Sequence, residues 1–180
     1  MYREMNKKKL RILYILDIMI QQQSARIIID SIIPLVERRL TQDPKTLLAW
    51  EPVPLPAYGK GLPDIIRSSW VFVLRAQTNT GAERHPNSYQ HLISYRGSGD
   101  LQILNNEIWC SNLLVGDPSA RIENRSLSIP PNIWHRALVP EENWVVVSFH
   151  TVYENELIEE RLDETDAELV HQRRYTDELE

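Results

Sequence analysis

Glu83, His85, Gln90 and His135 are the side chains whose types and spacing could do chemistry in this sequence. Two imidazoles and a carboxylate suit a divalent transition ion such as Fe(II), Mn(II) or Zn(II), with positions left open for water or substrate. Glu83 and His85 stand two apart in "ERHPNSYQHLISYRGSG", so on a strand they point the same way, and the parity carried across a short turn returns Gln90 to that side. His91 then faces out with Ile93 and Tyr95, as a surface or interface residue. His135 follows a Pro-Pro turn in "IPPNIWHRALV", on a strand expected beside the first. Gln90 adds a weak fourth oxygen. The competing reading is a polar pocket without metal, in which Glu83 and Gln90 hydrogen-bond across the space.

The other reactive side chains rank lower. His150 shares strand parity with Trp144, Val146 and Ser148, which makes it a pocket candidate as acid or base, or a hydrogen-bonded structural histidine. His171 lies in a charged tail and reads as exposed. Cys110 is the only cysteine; it excludes an intrachain disulfide and a Cys-rich zinc site, and its apolar neighbours suggest a buried bystander. Trp70, Trp109, Trp134 and Trp144 are core and interface material that could also wall a pocket. Arg75 and Arg96 could bind a carboxylate, although a surface ion pair is their default.

These residues need elements to hold them. From Ser69 onward "WVFVLRAQ", "QHLISYRG", "DLQILNNEIW", "RSLSIPP", "HRALVP" and "NWVVVSFHTV" are short β-rich runs broken by Gly, Asn, Asp and Pro, which predicts a sandwich or barrel over residues 69–152. "RGSGD" is a natural turn. Ahead of the barrel, residues 24–68 form a helical lead-in and a proline-rich arm. Ser24 is the expected cap of a helix in which Ile28, Ile32, Val36 and Leu40 recur every four residues, widened by Ile29 and Ile33. Pro34 is expected to kink or split it. The arm, anchored by Trp50, Leu55 and Tyr58, should lie extended over the domain. Residues 1–23 read as an N-terminal extension, in which Met19 is an alternative start. Residues 153–180 read as an acidic, solvated helical tail.

The motif residues resemble those of the cupin superfamily. Cupins carry two histidines one residue apart, a glutamate, and a glycine seven residues later; Glu83, His85, Gln90 and Gly97 occupy that spacing. Their second motif has proline, glycine two residues on, and histidine three further; Pro130, Asn132 and His135 match, with Asn for Gly. The resemblance covers roughly residues 69–152. It implies a double-stranded β-helix, a jelly-roll-like barrel with a metal site in its mouth. The departures leave a two-histidine, one-carboxylate set where the family offers three histidines and a glutamate.

Composition narrows the partners. The 180 residues are 42% hydrophobic and 25% charged, with a formal charge of -5, which fits one globular domain. Residues 154–180 hold eleven acidic and three basic side chains, and no Lys/Arg stripe crosses the body, so nucleic acid is not an expected partner. The apolar run near the N-terminus contains Asp17 and is too short to span a bilayer, which points to a cytoplasmic protein without membrane contact. The helix stripe, the arm and the tryptophans suggest a homodimer. Two function classes fit: a metal-dependent enzyme on a small organic molecule (oxygenase, isomerase or lyase), or a non-catalytic small-molecule-binding or sensing cupin with a degenerate metal site.

Overall fold

A computed structural model describes residues 7–162, 170–174 and 176. Two helices lead, α1 (Lys7–Gln21) and α2 (Gln23–Gln42). Thirteen described strands follow: β1 (Leu48–Pro52), β2 (Ser68–Leu74), β3 (Thr78–Asn79), β4 (Glu83–Arg84), β5 (Gln90–Arg96), β6 (Ser98–Asn105), β7 (Ile108–Cys110), β8 (Leu113–Val115), β9 (Ser126–Ile129), β10 (His135–Val139), β11 (Trp144–His150), β12 (Ile158–Leu162) and β13 (Val170–Arg174). One sheet runs β1-β2-β11-β5-β9. The other runs β13-β12-β4-β10-β6-β7, with β3 on β10 and β8 on β6. Every pairing among the described strands is antiparallel. This is the two-sheet, jelly-roll-like barrel that the cupin resemblance implies, with the helices outside it.

Alternation along β2 explains the layering. Trp70, Phe72 and Leu74 point between the sheets and pack with Leu92, Leu101, Ile103, Trp144 and Val146. Val71 and Val73 point the other way, into a second core with Ile29, Ile33, Val36 and Leu40 of α2. The first sheet is therefore buried on both faces, and each fully buried Ile, Val or Leu on the helix contributes roughly 1.5–3 kcal/mol. The helix stripe is covered by the chain's own sheet. Pro34 sits inside an uninterrupted α2, on its exposed side, where water can serve the carbonyl that loses its partner. Ser24 does not cap α2: Gln22 is the N-cap residue and makes no side-chain cap bond, while the Ser24 hydroxyl donates to Ala57 O at 3.1 Å.

Strands extend beyond residues 69–152 at both ends. Leu48–Pro52 of the arm pairs with β2 as an edge strand, the position where nearby prolines are tolerated. Trp50 and Tyr58 are buried and Leu55 is half-buried. The expected helical tail is corrected: Ile158–Leu162 and Val170–Arg174 form a hairpin, and Leu157 and Glu159 are fully buried. Cross-strand pairing stabilises it in place of helix, since Glu159 faces Arg173. The end of the tail lies outside the described residues. Helix α1 packs too, burying Leu13, Leu16 and Ile20, with Asp17 paired to the buried Arg125 at 2.9 Å. Among the described residues no single helix is long and apolar enough to cross a membrane; α1 and α2 satisfy that test only as a pair bent by 77°.

Candidate metal centre

Register builds the site. Glu83 on the short central strand β4 lies opposite His135 of β10 on one side and opposite Arg161 of β12 on the other. His85, two residues beyond Glu83, projects to the same side. The turn that delivers His135 is tied to His85, because the Asn132 amide donates to His85 O at 3.1 Å. Asn132 takes a φ of 63°, the left-handed conformation for which glycine is the usual residue and asparagine the best-tolerated substitute. The Asn in place of the motif glycine therefore preserves the turn. Gly97 also has positive φ (76°), and a Cβ at Gly99 would fall 2.2 Å from the Trp144 ring.

Glu83, His85 and His135 come together with one ligand atom each, all within 4.8 Å of one another. Both histidines are buried, at 3% and 2% exposure. Each donates Nδ1–H to a backbone carbonyl, His85 to Ile158 at 3.1 Å and His135 to Ile133 at 3.0 Å. A carbonyl only accepts, so in the neutral rings Nε2 carries the lone pair, the arrangement typical of metal-ligating histidine. His135 Nε2 lies 3.4 Å from Glu83 Oε1 and has no hydrogen-bond partner among the described residues. Gln90 donates Nε2–H to Ser148 Oγ at 3.2 Å, leaving its buried Oε1 without a partner. Buried polar atoms left in this way are rare, and here two of them border one cavity with Glu83. The donor set thus fits a divalent cation.

The electrostatics agree. Burial, followed by the neighbouring His135, pushes His85 down to about 4, so it is neutral near pH 7. Burial pushes the Glu83 carboxyl up, but its neighbours, foremost the Arg161 guanidinium, outweigh it and hold it ionised. Arg161 Nη2 stands 2.5 Å from Glu83 Oε2. Apart from Thr80 the remaining walls of the cavity are apolar, Phe72, Leu92, Trp144 and Val146 among them, and it holds about 30 Å³, room for roughly two waters.

The other candidates are placed as follows. His150 is fully buried, with its ring 5.1 Å from that of His85; Nε2 meets Ser148 Oγ at 2.9 Å and Nδ1 meets Ser88 Oγ at 3.4 Å. Burial drives its pKa well below the ordinary value. His91 requires correction: it lies on the opposite face from Gln90 but is 2% exposed, hydrogen-bonded to Ser128 Oγ at 2.7 Å. Helix α1 packs over β5 and β9 and removes that face from solvent. Tyr95 donates to Asp30 of α2 at 2.6 Å. His171 is exposed on β13, and Cys110 is half-buried, not enclosed. Trp70 and Trp144 are core residues, whereas Trp134 and Trp109 are half-buried under Arg84 and Arg136 at 4.5 and 4.3 Å. Arg75 donates to Thr46 O and to carbonyls at the end of α2, and Arg96 pairs with Glu37. Neither faces the cavity. Sequence reasoning missed Arg161 and Glu159; the signal was the charge complementarity of "IEERL" and "VHQRR" as facing strands.

Fold and site together make a two-sheet, jelly-roll-like barrel carrying a two-histidine, one-carboxylate cluster. No family model matches the sequence, and no curated protein matches it. Solved structures similar to it include the 11S globulin from Wrightia tinctoria described as revealing an auxin binding site (16% identity, TM-score 0.49, 66% of this chain and 28% of that one). The recombinant pro-11S globulin of pumpkin is another (16%, 0.48, 64% and 28%). A third is the capsular polysaccharide assembling protein CapF from Staphylococcus aureus (13%, 0.43, 50% and 26%). The chain spans about a quarter of the length of these structures.

Proposed function

We propose that the protein is a metal-dependent enzyme acting on a small organic molecule, in which Glu83, His85 and His135 hold a divalent cation and Gln90 lends a weak fourth oxygen. The observation that carries the reading is the pair of Nδ1–H bonds to backbone carbonyls, which fixes both imidazoles in the ligating tautomer beside an ionised carboxylate. Bound Fe(II), Mn(II) or Zn(II) would supply polarisation of a substrate oxygen or activation of water or dioxygen, the chemistry of oxygenases, isomerases and lyases. The chain itself contributes the rest. Phe72, Leu92, Trp144 and Val146 keep bulk water out of the cavity, and the Ser148 and Ser88 hydroxyls fix the neutral His150 ring behind His85. Elemental analysis of purified protein, with and without added Fe(II), Mn(II) and Zn(II), tests this: one equivalent per chain is expected.

A second reading, a non-catalytic small-molecule-binding protein, is favoured by one observation. Glu83, the only carboxylate lining the cavity, already faces a cation, the Arg161 guanidinium at 2.5 Å, which reduces its need for a metal ion. Protein that takes up none of the three ions supports that reading. The proposal includes a homodimer, supported by the exposed Ile108 and Leu113 on the β7–β8 edge, at 66% and 72%; a monomer mass by light scattering at micromolar concentration contradicts it.

A further inference from the structure

We infer that Arg161 is the positioning residue that confines Glu83 to one free oxygen and sets how tightly the cluster takes a divalent cation, an inference that rests on the metal reading above. Glu83 is divided between two neighbours: Oε1 faces His135 Nε2 at 3.4 Å, and Oε2 accepts from Arg161 Nη2 at 2.5 Å. The guanidinium cannot easily leave. Its Nε donates to Glu159 Oε1 at 2.8 Å and its Nη1 to Thr80 O at 3.0 Å. Glu159 is fully buried, and Arg173 Nη2 reaches the same oxygen at 2.6 Å. Swinging Arg161 away would take one of two cations from a buried carboxylate, which is strongly unfavourable. The hairpin of β12 and β13 therefore locks a positive charge against the back of Glu83.

Two effects of opposite sign follow. Without metal, Arg161 stands in for the missing cation and spares the fold a buried, unpaired carboxylate. With metal, the same guanidinium repels the divalent ion and denies it the second carboxylate oxygen, so it weakens binding. A merely structural arginine would act differently: its loss would lower both stability and metal affinity. The geometry makes the two readouts move apart.

The test compares full-length wild type with Arg161→Gln and Arg161→Lys, reading Zn(II) affinity by chelator competition and thermal unfolding with and without Zn(II). With the like-charge repulsion removed, Arg161→Gln should bind Zn(II) on the order of tenfold more tightly, melt at lower temperature when metal-free, and gain more from added Zn(II) than wild type does. Arg161→Lys keeps the charge but cannot serve Glu83, Glu159 and Thr80 O at once, so it should fall between. Replacing bound Zn(II) by Co(II) should show an altered visible absorption in Arg161→Gln as the second Glu83 oxygen becomes available. If Arg161→Gln does not fold, the lysine variant decides alone. Zn(II) affinity that is unchanged or weaker in the folded variants overturns the inference while leaving the metal reading intact, whereas a wild type that binds no Zn(II) overturns both.

Discussion

On one face of β11, Val145, Val147 and Phe149 pack beneath the helices; on the other, Trp144, Val146, Ser148 and His150 run from apolar to polar toward the histidine cluster. Both faces are equally buried. The helix-covered face holds only apolar groups along this strand and serves stability. The barrel-facing side carries polar groups that cost desolvation, and it sits beside a carboxylate, His135 and Gln90 with atoms left unsatisfied. Along β11, polar groups are accepted on one face and none on the other, which separates the site from the scaffold on this strand.

That separation predicts which variants lose metal and which lose stability. His85→Ala or His135→Ala should abolish stoichiometric metal binding, and Glu83→Gln should weaken it by removing the cluster's only ligand charge; equilibrium dialysis with Zn(II) or Mn(II) checks all three. Phe149→Ala, on the helix-covered face with its ring tilted 55° against that of Tyr58 at 5.0 Å, should destabilise the fold by about 3–5 kcal/mol in denaturant unfolding. Its metal stoichiometry should not change. A Phe149 variant that folds well but loses metal would mean the two faces are not independent.

Acid should separate the faces more gently. Folded His85 takes up its proton at about 4 against an ordinary 6.5, so between those values the unfolded chain binds more protons than the native one. Metal-free protein should therefore lose stability as pH falls from about 6.5 towards 4, with His150 acting in the same direction and Glu83 adding only below the ordinary carboxylate value. Unfolding midpoints across that range measure it; a flat profile would show that the histidines are not held neutral. The smallest effect expected is His91→Ala, which should leave metal binding nearly unchanged because that ring lies on the other face of β5. Loss of metal in this variant alone would mean that the strand register is wrong.

Much of this was legible in the residues, for identifiable reasons. Two-residue parity placed Glu83 and His85 on one side, and the Pro-Pro-Asn turn brought His135 to the neighbouring strand. The switch from four-residue to two-residue apolar spacing marked the barrel and its outer helix. What escaped depended on contacts between distant segments. His91 reads as exposed until α1 is known to cover its face. Prolines disguised β1, because an edge strand tolerates them. Glu159, Arg161 and Arg173 look like a solvated charged tail, and only pairing of β12 with β13 and β4 turns them into a buried ionic network around Glu83.

In the proposed metal centre, Glu83, His85 and His135 share one cation. Anomalous diffraction at the zinc edge from crystals grown with one equivalent of Zn(II) tests it most directly. The expected result is a single strong peak about 2.0–2.2 Å from His85 Nε2, His135 Nε2 and one Glu83 oxygen. A cluster without a peak, or a peak only at exposed His171, would contradict it.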